Sequence, residues 1–251
     1  MQTFRCGLNF SPQPPRLRFS TYLMAAALPA VPDSFGHQSL IPVDGWGMLL
    51  NDSVGDCTIA GAMHTSMLWN RIAGRQVHFT NTDAIEDYSA VSGYVSGDES
   101  TDQGADMVAV AAYWKNTGMR DDTGARHQIG AYLSIDPKNI DHICAAAYLF
   151  GAVGLGINLP SSAERQFMNG LPWDVVPGDS NEGGHFIPLV SRGPAGYGVV
   201  TWGKLQTMTP AFAAAYIEEA IAYLSPEMLV NGKSAEGFDM AALQYDLEVV
   251  A

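Results

Sequence analysis

The pattern of apolar and polar positions divides this chain into a helical part and a later strand-forming part. Between residues 57 and 71, apolar side chains fall on nearly every face of a helix, which predicts a central, buried helix. Further helices are predicted at residues 83–91, 106–117, 139–150 and 210–224.

The predicted strands are short, rich in β-branched and aromatic residues, and separated by Gly/Pro turns. They fall at residues 152–158, 184–191, 197–202 and 247–250. This spacing is typical of an antiparallel sheet, and no strand–helix–strand alternation accompanies it. The layout predicts an α+β fold.

Three regions follow from the same pattern. Residues 1–45 are rich in proline and lack periodicity, which predicts an extended N-terminal arm lying over the rest of the molecule. Within it, residues 16–30 resemble a secretion signal, but their position well inside the chain favours their being part of the arm. Residues 46–150 are expected to form a helical lobe, and residues 151–251 a β-rich lobe with a C-terminal helix.

Composition narrows the possible functions. Hydrophobic residues make up 47% of the chain and charged residues 16%, with a net charge of −13, so a large core is expected and binding to nucleic acid or an anionic membrane is disfavoured. No apolar run approaches the ~20 residues of a membrane span.

The three cysteines form no CxxC pair, so neither a disulfide framework nor a zinc site is predicted. We expect no cofactor or metal, and a cytoplasmic or virion-associated protein.

Cys57 is the strongest candidate for chemistry. It precedes the run that forms the predicted central helix, and a helix N-terminus favours the thiolate that attacks carbonyls. An amide side chain, Asn51, stands six residues upstream. His185 opens an apolar strand after two glycines and is the best candidate for the base.

The order of these residues resembles papain-like cysteine peptidases. In that family a cysteine on a central helix is followed by a histidine at the head of a later strand and by a Trp-Gly pair, here Trp202-Gly203. The resemblance covers most of residues 44–225. It implies a fold in which the cysteine helix packs against an antiparallel, barrel-like β lobe. It also implies acyl transfer, with Cys57 as nucleophile, His185 as acid and base, and Asn51 as an oxyanion donor.

One position departs from the family pattern. When Trp202 is aligned with the family tryptophan, Val200 stands where an asparagine should orient the histidine. Valine cannot hydrogen-bond an imidazole, which leaves a Cys57–His185 dyad or a substitute such as Thr201 or Asp174.

Two functions from different classes therefore remain. The first is a cysteine hydrolase that cleaves peptide or amide bonds in a peptide or protein substrate. The second is a weak or inactive papain-like scaffold that serves as a bacteriophage virion component or interaction protein, with assembly contacts through the N-terminal arm. If residues 20–45 block the cleft, a self-inhibited precursor or an enzyme that has lost its activity is expected.

Overall fold

The computed structural model describes residues 4–22 and 30–237, and the predicted strand at 247–250 lies outside them. Residues 23–29, part of the segment that resembles a secretion signal, also lie outside. The α-helices within these ranges are α1 Phe19–Tyr22, α2 Cys57–Ile72, α3 Asn81–Ser92, α4 Met107–Asn116, α5 Ile140–Phe150, α6 Ser162–Met168 and α7 Pro210–Tyr216. Among the described residues, no helix is both long and apolar enough to cross a membrane.

Most of the strands join one large sheet. The strands are β1 Leu8–Asn9, β2 Phe35–Gly36, β3 Ala105–Asp106, β4 Met119–Arg120, β5 Arg126–His127, β6 Ala131–Ile135, β7 Val153–Pro160, β8 Asn181–Gly193, β9 Gly196–Thr201, β10 Lys204–Met208 and β11 Ile217–Leu224. The order β10-β9-β8-β7-β11-β6 is antiparallel throughout. The predicted α+β fold with an antiparallel sheet is confirmed.

The short strands connect other parts of the chain to this sheet. β1 pairs in parallel with β3 and antiparallel with β8, and β2 pairs antiparallel with β8. β4 and β5 form a separate hairpin. The N-terminal region thus adds strands to β8, the strand that carries His185.

The predicted helix at 210–224 is only half correct. Thr209 caps α7 by accepting a hydrogen bond from the Phe212 N–H, but the helix ends at Tyr216 and Ile217 is already extended. The next eight residues form β11, which lies between β7 and β6. Their alanines and glutamates are compatible with a helix, yet pairing on both edges and burial in the sheet outweigh that local preference.

The central helix lies directly against the sheet. All residues of α2 from Cys57 to Asn70 are buried, as its apolar faces predict. A Cβ added at Gly61 would lie 2.3 Å from the Phe186 ring, so glycine at this point lets the helix approach β8 closely. About two turns further along the helix, the Trp69 indole stacks on Trp114 at 5.3 Å and donates to the Phe150 carbonyl at 2.7 Å. These contacts fix the position of the α2 N-terminus relative to β8.

Candidate active site

The predicted nucleophile lies against the strand that carries the predicted base. Cys57 is the first residue of α2 and is 1% exposed. Its sulfur accepts a hydrogen bond from the Phe186 backbone N–H at 3.4 Å. Phe186 follows His185 on β8, so the helix start and the strand bring the thiol to the residue beside the imidazole.

His185 is oriented by Thr201. The His185 ring is fully buried, and its Nε2 lies 2.8 Å from Thr201 Oγ1. The ring also stacks on Trp202, with centroids 5.1 Å apart and an interplanar angle of 27°. With Nε2 protonated and donating to the threonine hydroxyl, Nδ1 keeps its lone pair and is the nitrogen that can accept a thiol proton.

Of the two substitutes considered for the missing asparagine, Thr201 is the one that contacts the imidazole. Successive side chains of a strand point to opposite faces, so Val200 and Thr201 on β9 cannot both face the ring, and Thr201 is the residue that does. The other proposed substitute, Asp174, instead accepts hydrogen bonds from Thr209 Oγ1 at 2.8 Å and from the Val175 N–H.

The thiol and the imidazole are both neutral in this arrangement. Burial raises the pKa of Cys57 to about 12, although the backbone N–H groups of Phe186 and Gly7 partly oppose the shift. Burial lowers the pKa of His185 to about 3. His185 Nδ1 makes no hydrogen bond to any residue that the structure describes, the cysteine included. The ion pair expected of an active thiol is not formed here.

Asn51 lies in the loop before α2 and is 3% exposed. One N–H of its side-chain amide donates to Asp56 Oδ1 at 3.3 Å. Burial holds the pKa of Asp56 well above its usual range. An amide nitrogen has two hydrogens, so the second remains for an oxyanion, and the role of Asn51 as a donor stays a prediction.

The loop that carries Asn51 is held by a histidine that no sequence motif singles out. His64 on α2 contacts the Gly47 carbonyl through Nε2 at 2.9 Å and meets the Trp46 ring edge-on at 5.9 Å. Burial lowers the pKa of His64 to about 4, so it is a neutral donor. The loop also contains two non-glycine residues with left-handed backbone, Leu49 and Leu50, at φ 56° and 67°. This backbone conformation is strained for a residue other than glycine, and contacts such as that of His64 with the loop hold it in place.

The N-terminal segment of residues 4–9, called the arm segment below, covers the thiol. Leu8 pairs with Ala105 on one side and with Gly184 on the other. The Gly7 carbonyl accepts from the Ala105 N–H at 2.8 Å, and the Gly7 N–H lies close enough to the Cys57 sulfur to oppose the rise of the thiol pKa. The Gly7 backbone therefore lies beside the thiol, and the arm segment occupies the place of a blocking peptide.

Side chains anchor the arm segment at its start. Phe4 stacks on Trp202 with centroids 4.3 Å apart and meets Phe167 edge-on at 5.7 Å. The Phe4 N–H donates to Glu164 Oε1 at 2.9 Å. Trp202 thus lies between the His185 ring and an aromatic side chain of the arm.

A charged contact involves Asp102, which lies in the loop before β3. Its carboxylate accepts hydrogen bonds from Arg5 at 3.1 Å, from the Tyr88 hydroxyl at 2.6 Å and from the Gly55 N–H. Asp102 therefore ties the arm to the turn that leads into Cys57. This role could not be predicted from the sequence, because the carboxylate and its partners are far apart in the chain and meet only after folding.

The segment that blocks the cleft differs from the one singled out in the sequence. Residues 20–45 were the candidates, whereas the residues over Cys57 are 4–9, nearer the N-terminus within the same predicted arm. The predicted boundaries of the regions at residues 45 and 150 stay predictions. Among the described residues, no group of three or more His, Cys, Asp or Glu side chains is placed to bind a metal ion.

Comparison with known proteins bears on the fold. No protein-family model matches the sequence, and no curated protein sequence is significantly similar to it. Solved structures do match. The cysteine protease xylellain from Xylella fastidiosa aligns with a TM-score of 0.60 and 14% identity, over 89% of this chain and 97% of that one.

Two further structures agree. Procathepsin B S9 from Trypanosoma congolense gives a TM-score of 0.62 and 10% identity, over 88% of this chain and 86% of that one. The proform of the ragweed pollen cysteine protease Amb a 11 gives 0.57 and 16%, over 84% and 71%. With Cys57 at the start of the central helix and His185 on the neighbouring strand, the chain has the papain-like cysteine protease fold.

Proposed function

We propose that this protein is a cysteine hydrolase that cleaves peptide or amide bonds, and that the arm segment keeps it latent. The observation that carries the proposal is the His185 ring, held through Nε2 by Thr201 with Nδ1 unpartnered beside the thiol-bearing helix start. A histidine that served only to fill the core would be expected to have both ring nitrogens satisfied.

Displacement of the arm segment starts the reaction. Water then reaches the site, and the burial that keeps both groups neutral is reduced. The Cys57 proton passes to His185 Nδ1, and the imidazolium stabilises the thiolate. The helix N-terminus adds partial positive charge on the same side.

The thiolate attacks the substrate carbonyl and forms a carbon–sulfur bond. The Cys57 backbone N–H and the free N–H of the Asn51 amide stabilise the oxyanion. His185 then gives its proton to the leaving amine as the carbon–nitrogen bond breaks. Water, deprotonated by His185, attacks the thioester, and the carboxylic acid leaves as the thiol is restored.

The test compares full-length variants on a mixture of fluorogenic peptide amides. Arg5→Glu places a carboxylate beside Asp102 and Glu99, so it is expected to release the arm and raise hydrolysis about tenfold. The matched control Arg16→Glu changes the same charge at an exposed site and should leave the rate near wild type. Adding Cys57→Ala to Arg5→Glu should abolish hydrolysis.

Iodoacetamide labelling separates a blocked enzyme from an inactive one. In Arg5→Glu, Cys57 should be alkylated faster than in the wild type, with a lowered thiol pKa. If Cys57 becomes reactive toward iodoacetamide but no peptide amide is cleaved, the hydrolase proposal is wrong. The alternative of a structural or interaction protein of a phage virion stays a prediction, since no feature of the site favours it.

A further inference from the structure

The space over Cys57 that Gly7 occupies, called the slot below, has room for glycine only. A Cβ added at Gly7 would lie 1.8 Å from the Gly55 carbonyl oxygen, and the atoms it meets are all backbone. From the other side, a Cβ on Gly104 would lie 2.2 Å from the Gly7 carbonyl oxygen. Backbone cannot rotate away as a side chain does, so any residue larger than glycine is excluded from this slot.

The slot holds a peptide by its backbone at the same place. The Gly7 carbonyl accepts from the Ala105 N–H at 2.8 Å. The next residue, Leu8, pairs with both flanking strands and is buried. Backbone hydrogen bonds supply affinity for a peptide of any sequence. The requirement for a residue without a Cβ in the slot supplies the selectivity.

The arm segment lies in a groove, and the wall of this groove is acidic where it meets the residue two positions before Gly7. Arg5 contacts Asp102 at 3.1 Å and Glu99 at 3.0 Å. The Asp102 side chain is 3% exposed and also accepts from the Tyr88 hydroxyl, so its carboxylate is fixed in place. A fixed, buried carboxylate discriminates strongly between a guanidinium and an acidic side chain.

At Phe4, one residue before Arg5, the groove is lined by aromatic side chains. Trp202 and Phe167 meet the Phe4 ring from its face and its edge. Glu164 accepts from the backbone N–H of the same residue. A planar side chain fits between these two rings better than an aliphatic one.

We infer that the groove over Cys57 recognises peptides that have an aromatic residue three positions and an arginine two positions before a glycine, with the glycine crossing the thiol and an apolar residue following it. A role of this selectivity in choosing substrates rests on the proposed function. The selectivity itself concerns binding, however, and can be measured without hydrolysis.

The experiment measures protection of Cys57 by peptides in trans. The full chain carries Gly7→Ala, whose added Cβ expels its own arm from the slot, and native iodoacetamide labelling of Cys57 is followed by mass spectrometry. Labelling should rise at least about tenfold over the wild type. The matched control is Gly193→Ala, because a Cβ there meets nothing within 4 Å and its labelling should stay at the wild-type rate.

Three hexapeptides are then added to the Gly7→Ala chain. Phe-Arg-Ser-Gly-Leu-Asn should slow labelling, and replacing its glycine by alanine should weaken protection at least about tenfold. Replacing its arginine by glutamate should weaken protection by a similar factor. Equal protection by the alanine or the glutamate peptide would overturn the inference.

A second variant guards against misfolding. If Gly7→Ala fails to give a native circular dichroism spectrum, Arg5→Glu is used with the same peptides and the same expected ranking. The first peptide is expected to lie where the arm segment lies as a blocking peptide, so its protection of Cys57 tests the selectivity alone. Hydrolysis of the fluorogenic peptide amides tests the proposed hydrolase, and the two proposals therefore fail separately.

Discussion

At the scale of single residues, the candidate site depends on hydrogen bonds that no motif predicts. Cys57, His185 and Asn51 could be named from their order and spacing, because each is tied to a recognisable local element. Thr201 could not be assigned, because its role depends on which face of β9 meets the ring. A threonine hydroxyl can accept a hydrogen bond from the Nε2–H group, as an asparagine carbonyl oxygen would, so the imidazole has an orienting partner although Val200 cannot supply one.

The importance of Thr201 is testable by substitution. Thr201→Val keeps the shape of the side chain but leaves Nε2 without a partner, so the ring is free to turn. We expect kcat to fall about a hundredfold with little change in KM, because an orienting contact acts in the chemical step. The measurement is peptide-amide hydrolysis in the Arg5→Glu chain.

The matched control for that substitution is Thr201→Ser. It retains the hydroxyl and should keep kcat within about tenfold of the parent. A valine variant as active as the serine variant would show that the hydroxyl does not position the imidazole.

At the scale of elements, the β4–β5 hairpin is joined to the residues that follow β11 through a histidine between two acids. His127 on β5 contacts Glu227 through Nδ1 at 2.7 Å and Asp121 through Nε2 at 3.2 Å. Both nitrogens meet carboxylates, so the ring must carry two protons to satisfy them. Glu227 belongs to the 3-10 turn Pro226–Met228, and the pair therefore links the β4–β5 hairpin to the residues that follow β11.

This link predicts a pH-dependent contribution to stability. Burial alone would lower the pKa of His127, but the hydrogen bonds and charges of Glu227 and Asp121 outweigh it and raise the pKa above the usual 6.5. A raised folded-state pKa means that protonation favours folding. The contribution is therefore complete below pH 6.5 and is lost as pH rises through the higher folded value.

The measurement is the melting temperature of the wild type minus that of His127→Gln across pH 5 to 9. The difference should be largest at the acid end and shrink as pH rises. His78→Gln is the control, since the side chain of that histidine contacts only the Gln76 side chain among the described hydrogen bonds. A difference that grows with pH would contradict the assignment of a charged ring.

At the scale of the whole molecule, the first residues of the chain complete the sheet and close the site. The arm segment pairs with β3 and β8, and Asp102 connects it to the turn before Cys57. The same contacts that stabilise the N-terminus thus hold the thiol away from water. Opening of the arm should then be a local event that leaves the rest of the sheet intact.

Hydrogen exchange can detect that local opening. In Arg5→Glu, the Ala105 N–H should exchange at least about tenfold faster, because its bond to the Gly7 carbonyl is lost with the arm. The Gly130 N–H, bonded to the Leu224 carbonyl away from the arm, is the internal reference and should not change. Equal acceleration at both amides would indicate global destabilisation instead.

The sequence by itself determined the elements whose signals are local. The buried helix from Cys57, the strand of His185 and the α+β class follow from periodicity, turn residues and residue order, which act over a few neighbouring positions. Tertiary structure decided the rest, because those outcomes depend on distant partners. Pairing with β7 and β6 made residues 217–224 a strand, strand facing selected Thr201 over Val200, and the fit of Gly7 between Gly55 and Gly104 brought the arm segment over the thiol.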